Sequence, residues 1–265
     1  MAVVSGGYFC TAAHTETGGI HDFLQKLDPK VKWERCFPAV RKPAPKLHRP
    51  HPVPVSGQSG ASGQYLVDTM LELLAKHYHG AACSFDFVVL IDDADCRFAG
   101  APDVTAAFLA WEADLTEQVR AATGKPTLAF HALLAWPEIE AWLLADWNHS
   151  FAKHYRPIAH ALRKHVETCI LAPLTFAQID QFGGRLQNGS CEHKLSSALQ
   201  ASFTAIDPCP CKLADIRRNQ PETAVLRYSK QVDGPLLLKS IEPDRVAQAS
   251  ARFRSAQTRL RVAGG

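Results

Sequence analysis

An apolar run that stops on three carboxylates limits what this chain can become. Phe85-Asp86-Phe87-Val88-Val89-Leu90-Ile91 is rich in aromatic and β-branched residues and has the length of a buried strand. Asp92, Asp93 and Asp95 follow at once. In an open α/β sheet, ligands bind beyond the carboxyl ends of the strands. Three acids there repel one another unless a cation or strong hydrogen bonds hold them. The plain alternative is a polar strand exit into water. The functional reading is a metal site for phosphoryl chemistry, because Mg²⁺ takes a few carboxylates plus substrate phosphates.

The surrounding pattern predicts a parallel βαβ unit. A helix is expected over Asp103–Ala122, closed by Gly124, and a second apolar strand over Thr127–Leu134. Asp93 and Ala135 should then share one sheet edge. Upstream, a Gly6-Gly7 turn should lead into a strand over Tyr8–Ala13. Ile20, Phe23, Leu24 and Leu27 mark a helix stopped by Pro29, and Val31–Val40 reads as another strand. Glu16 lies at the first strand–helix junction, where it either faces the same edge or favours the helix start. The glycine-rich stretch 56–63 before a helix over Tyr65–Tyr78 reads as a flexible loop. It is not a Walker A loop, since no Gly-Lys-Ser/Thr follows.

Trp136-Pro137-Glu138-Ile139-Glu140 opens a further helix, with Pro137 in its first turn. On a helix, Glu138 and Glu140 stand about 200° apart, so only one is expected to face the edge. Beyond residue 147 the pattern turns helical and basic. His149, His154, His160 and His165 read as surface or satisfied histidines, Gln178–Gly189 as a loop, and 244–262 as one final helix carrying Arg245, Arg252, Arg254, Arg259 and Arg261. The fold class is therefore α/β: a mostly parallel sheet flanked by helices over 1–147, with a mainly helical C-terminal subdomain over 148–265.

A formal charge of +3 on 265 residues does not by itself argue for nucleic acid. The proline-interleaved stretch Arg41–Pro54, with Arg41, Lys42 and Lys46, could track a phosphate backbone or serve as a solvated linker. No secretory leader is expected from the first residues, and no run of about 18 apolar residues points to a membrane. The eight cysteines are accordingly expected reduced, in the cytoplasm. Cys191, His193, Cys209 and Cys211 could supply four zinc ligands, but one-residue gaps make chelation awkward, and free thiols are the expectation.

Several of these pieces together resemble known motifs. Asp93-Ala94-Asp95 after an apolar strand resembles the Asp-x-Asp signature of Toprim domains. His14-Thr15-Glu16 resembles the Glu-Gly-x-Thr-Glu opening of Toprim-like families. Pro137-Glu138-Ile139-Glu140-Ala141-Trp142-Leu143-Leu144-Ala145-Asp146, with Tyr228-x-Lys230-x-x-x-Gly234 downstream, resembles a bacterial Toprim-like family of unassigned function. Its members tend to be encoded beside ATPases in mobile or defence loci. The chain departs from that pattern where the first glutamate is usual: Ala12 and Ala13 stand there.

The resemblance implies a Toprim-like core holding Mg²⁺ or Mn²⁺ through Asp93 and Asp95, with Asp92 a less secure ligand. Glu16, Glu138 or Glu140 would orient or deprotonate a nucleophile. Arg41, Lys42, Lys46 and Lys230 would contact nucleic acid. The expected function is divalent-metal-dependent cleavage or transfer of phosphodiesters in nucleic acid, in a phage-defence or mobile-element setting. The alternative is a non-catalytic Toprim-derived module that binds an ATPase or nucleic acid.

Overall fold

The computed structural model describes residues 3–41, 53–55, 58, 60–182, 185–187, 190–192, 194–206 and 228–263. Four parallel strands form the central sheet: β1 (Val4–Cys10), β2 (Val31–Phe37), β5 (Phe87–Asp93) and β6 (Ala129–Ala135), in the order β2-β1-β5-β6. Short pairs β3 (Val40–Arg41) with β4 (Val53–Pro54), and β7 (Arg185–Gln187) with β8 (Ser190–Glu192), are antiparallel. The chain leaves β1 towards β2 and returns on the other side as β5 and β6. The strand order thus reverses between β1 and β5, the crevice where such sheets bind ligands.

Crossover handedness then places helices on opposite faces. Helix α1 (His14–Leu27) packs on one face through Ile20, Phe23, Leu24 and Leu27. Helices α2 (Gly63–His77) and α3 (Val104–Thr123) cover the other, through Leu66, Met70, Leu115 and Val119. Alternation along β5 follows. Phe87, Val89 and Ile91 face the α1 side, Val88 and Leu90 the α2–α3 side. Asp103, expected as the first helical residue, caps α3 by accepting the Thr105 and Ala106 N–H groups, and Gly124 closes the helix in the left-handed region, as the sequence predicts.

The first strand differs from expectation. Gly6 and Gly7 lie inside β1 rather than in a turn. The ring of Phe87 packs so close that a Cβ on Gly6 would stand 2.7 Å from it. Small residues there serve packing across the strand pair, a role local turn chemistry does not reveal.

The C-terminal half is helical around the same core: α4 (Ile139–Ala145), α5 (Phe151–His154), α6 (Ala159–His165), α7 (Leu195–Ala205), α8 (Asp233–Ser240), α9 (Pro243–Ala249) and α10 (Ala251–Ala263). One buried cluster runs from Tyr8 on β1 to Leu260 on α10. The single final helix expected over 244–262 is broken at Ser250. Its backbone is extended, and its Oγ accepts the Phe253 N–H while donating to Asp180. The stretch expected as a loop over Gln178–Gly189 contains the end of a 3-10 helix, Phe176–Gln181, opened by a Thr175–Gln178 capping box, and strand β7.

Edge strand β6 is shielded. Glu112 Oε1 accepts the Ala132 N–H at 2.8 Å and is held in turn by Arg259 at 3.2 Å. The other arginines of the last two helices are also used internally. Arg261 pairs with Asp244, Arg254 bonds the Ala247 and Gln248 carbonyls, and Arg252 lies 4.0 Å over the Trp136 ring. Among the described residues no helix is long and apolar enough to cross a membrane. Cys96 is disulfide-bonded, against the expectation that every cysteine is reduced, whereas Cys10, Cys36, Cys83 and Cys169 are free. Disulfide pairing needs Cα atoms within about 7 Å, a tertiary fact that spacing in the chain does not carry.

Candidate acidic site at the sheet edge

Five segments meet at the carboxyl end of β5, on the α1 side of the sheet. Asp93 continues the alternation of Val89 and Ile91 and so points to that side. Its Oδ1 accepts the Ile139 N–H at 2.7 Å, capping α4 from another element. Glu16 reaches in from the first turn of α1 and is 3% exposed. Glu138 and Glu140 come from the start of α4, Ser196 from the start of α7, and Tyr228 and Lys230 from the turn before α8.

Both glutamates of Glu138-Ile139-Glu140 face this site, contrary to the expectation that only one could. Glu138 is not helical. At φ −134° and ψ 165° it is the extended residue before α4, so helical rotation does not separate the pair. Lys230 Nζ lies 3.4 Å from Glu138 Oε1 and 3.2 Å from Glu140 Oε1. Ser196 donates its N–H and Oγ–H to Glu138, and Tyr228 donates to Glu140 at 2.9 Å.

Asp92 turns the other way. Its Oδ1 accepts Thr11 Oγ1 at 2.6 Å and its own neighbour's N–H. Oδ2 accepts the Gly63 N–H and an Arg97 guanidinium at 2.6 Å. The expected metal ligand is thereby a fully bonded anchor, and it ties the end of the glycine-rich loop to the sheet. Asp95 sits at the rim with φ +43°, 3.8 Å from Lys194 Nζ. Arg41 is exposed on β3, while Lys42 and Lys46 lie outside the described residues. So do His193, Cys209, Cys211 and the side chain of Cys191. Lys230, expected against nucleic acid, pairs with Glu138 and Glu140.

Burial and mutual repulsion dominate the electrostatics. Burial, then the neighbouring Glu140, pushes the Glu16 carboxyl up to about 8. Burial, then Glu16 and Glu140, raises Asp93 well above the usual carboxylate range. Burial raises Glu140 despite the opposing charge of Lys230. Burial alone would lower Lys230, yet the carboxylates of Glu140, Glu138, Asp93 and Glu16 hold it above its ordinary value. Glu16 therefore stabilises the fold as a neutral acid. That contribution is complete below the unfolded value of 4.5 and is lost as pH rises through about 8. Thermal midpoints measured in chelator should fall between about pH 5 and pH 8.5. A flat or rising profile would contradict the arrangement.

The residues fit a hard divalent ion by type. Glu16 Oε2 and Glu140 Oε2 are buried without a hydrogen-bond partner, and unsatisfied carboxylate oxygens beside Asp93 are the donors Mg²⁺ and Mn²⁺ prefer. Among the described residues, no three His, Cys, Asp or Glu side chains already converge as a formed metal site. In this conformation the Lys230 ammonium supplies the counter-charge.

The Lys230 turn is positioned by close backbone packing. Thr15 Oγ1 donates to the Lys230 carbonyl at 3.1 Å, and a Cβ on Gly234 would overlap Thr15 Oγ1. Gly234→Ala should cost about 2 kcal/mol and displace Lys230 from the acids. Thr15→Ala in the same chain should recover part of the loss. An unchanged thermal midpoint in the single variant would remove this latch from the account.

Sequence reasoning missed Ser196, which no motif marks, and treated Tyr228 only as part of a turn pattern. Comparison with family models, with curated proteins and with solved structures gives no match for this chain.

Proposed function

We propose that this chain is a Toprim-like, divalent-metal-dependent protein that cleaves or transfers phosphodiesters in nucleic acid. The observation that carries this reading is that Glu16, Asp93, Glu138 and Glu140 share one largely buried site around Lys230 at the strand-order reversal, with the Glu16 and Glu140 Oε2 atoms left unsatisfied. Glu16, Asp93 and Glu140 would hold the ion, with Asp95 at the rim. Such an ion polarises a phosphoryl oxygen and stabilises developing charge. Lys230 and Tyr228 orient Glu140, and Ser196 orients Glu138.

The test is isothermal titration of Mn²⁺ into wild type and Asp93→Ala, followed by assay of the same samples on plasmid and single-stranded DNA. Mn²⁺ binding and cleavage in wild type, both lost in the variant, are expected. No binding and no cleavage by folded wild-type protein would reject the reading.

A second reading has its own support. The acids are nearly closed from solvent and already balanced by Lys230, and Ala12 and Ala13 stand where the Toprim-like pattern has its first glutamate. A non-catalytic module that binds an ATPase or nucleic acid would keep such a cluster as structure. Partner capture unaffected by Asp93→Ala, with no turnover in either protein, would favour it.

A further inference from the structure

A cavity of about 270 Å³ opens beside edge strand β6, between α3 and α10. Phe108, Leu109, Leu134 and Trp136 make an apolar, largely aromatic wall, and Arg252 and Arg259 bring guanidinium groups to it. Arg252 stands 4.0 Å over the Trp136 ring, and Arg259 is 5.8 Å from the centre of the Phe108 ring. Glu112 partly balances Arg259. Arg252 has no ion pair among the described residues. The nearby Asp180 spends Oδ2 on Ser250 and on the Arg252 backbone N–H. No carboxylate lines the cavity among the described residues, so its own wall joins an apolar surface to two guanidinium groups, with Glu112 on Arg259 and Asp180 near Arg252 behind them. Thr105 and Ser255 add hydroxyls able to meet polar edges.

Its place in the fold matters as much. Trp136 follows Ala135, the register partner of Asp93, and the Pro137 carbonyl accepts the Asp95 N–H. Strand spacing and one residue step put the Trp136 backbone within about 9 Å of that of Asp93. The cavity and the acidic site therefore flank the same strand end.

We propose that this cavity binds a nucleobase with its attached phosphate, supplied by single-stranded nucleic acid. The planar base lies against the Phe108–Leu109 wall and the guanidinium groups, and the phosphate meets Arg252. Aromatic and arginine platforms hold unstacked bases of any sequence in this way. The inference rests on the nucleic-acid reading above and adds single-strand preference to it. A free mononucleotide shares the chemistry. The strand is favoured because the cavity and the acids lie at the same end of the β5–β6 pair, one on each face of the sheet.

The experiment is fluorescence anisotropy on the full chain, in chelator so that no cleavage occurs. The probes are a labelled single strand, the same strand with abasic positions, and a duplex, with adenosine monophosphate as competitor. The variants are Leu109→Glu, at a side chain 48% exposed, and Arg252→Gln, with folding checked by thermal midpoint. Wild type should prefer the intact single strand by about tenfold over the abasic strand and the duplex, and each variant should lose about tenfold. Equal affinity for intact and abasic strands, or unchanged affinity in both folded variants, overturns the proposal. Nucleotide binding that Leu109→Glu weakens, with no strand binding, upholds the ligand chemistry and overturns the strand as its source. Base-dependent binding without Mn²⁺-dependent cleavage would reject the cleavage reading while leaving this site standing.

Discussion

Asp93→Asn is expected to stabilise the metal-free protein and to abolish the proposed metal-dependent cleavage. Asparagine keeps the Oδ1 acceptor for the Ile139 N–H and removes a charge that burial, Glu16 and Glu140 all oppose. At about pH 8, in chelator, the variant should gain roughly 1–2 kcal/mol, a typical return for removing strain stored at a functional site. With Mn²⁺ present, wild type should gain stability and the variant should not, since ligand binding to the native state adds to unfolding free energy. Cleavage should fall by about a thousandfold, the scale of removing a group that stabilises transition-state charge. Thermal melts with and without Mn²⁺, paired with the nicking assay, decide it. Destabilisation in chelator would show that the ionised carboxylate is a structural asset. Retained cleavage would place the chemistry elsewhere.

Lys230→Met works in the opposite direction. The ammonium is 3.2 Å from Glu140 and 3.4 Å from Glu138, whose side chains are almost fully buried. Removing it leaves two buried acids facing Asp93 and Glu16 without a balancing charge. Breaking a buried pair costs about 3–5 kcal/mol, and with the lysine side chain 34% exposed we expect about 3. The loss should be greatest at high pH, because lowering pH lets the raised carboxyls take protons and relieves the repulsion. Denaturant titrations of both proteins at about pH 5.5 and pH 8 measure it. A pH-independent loss would mean that the aliphatic stem of Lys230 carries the effect, not its charge.

The two variants also separate roles that a single loss of activity would confuse. One removes a repelling charge and is expected to be more stable but inactive. The other removes the counter-charge and is expected to be less stable. If both simply unfolded, the cluster would be a packing element and the partner-module reading would gain.

The sequence by itself determined the parts of the fold governed by local period and composition. The apolar run into Asp93, the helix face of Ile20, Phe23, Leu24 and Leu27, and the Gly124 exit are all readable from neighbours a few residues apart. The βαβ pattern was enough to place Asp93 and Ala135 at one edge, because parallel pairing with a short crossover has few solutions. Tertiary structure decided which acids meet. Asp92 and Asp93 are adjacent, yet strand alternation sends one into a bonded anchor and the other into the site. Glu138 joins Glu140 only because the Asp93 carboxylate caps Ile139 and leaves Glu138 extended. Lys230 stands more than two hundred positions along the chain from Glu16, and Ser196 carries no motif at all. Their roles arise from packing between segments distant in sequence, which no local pattern encodes.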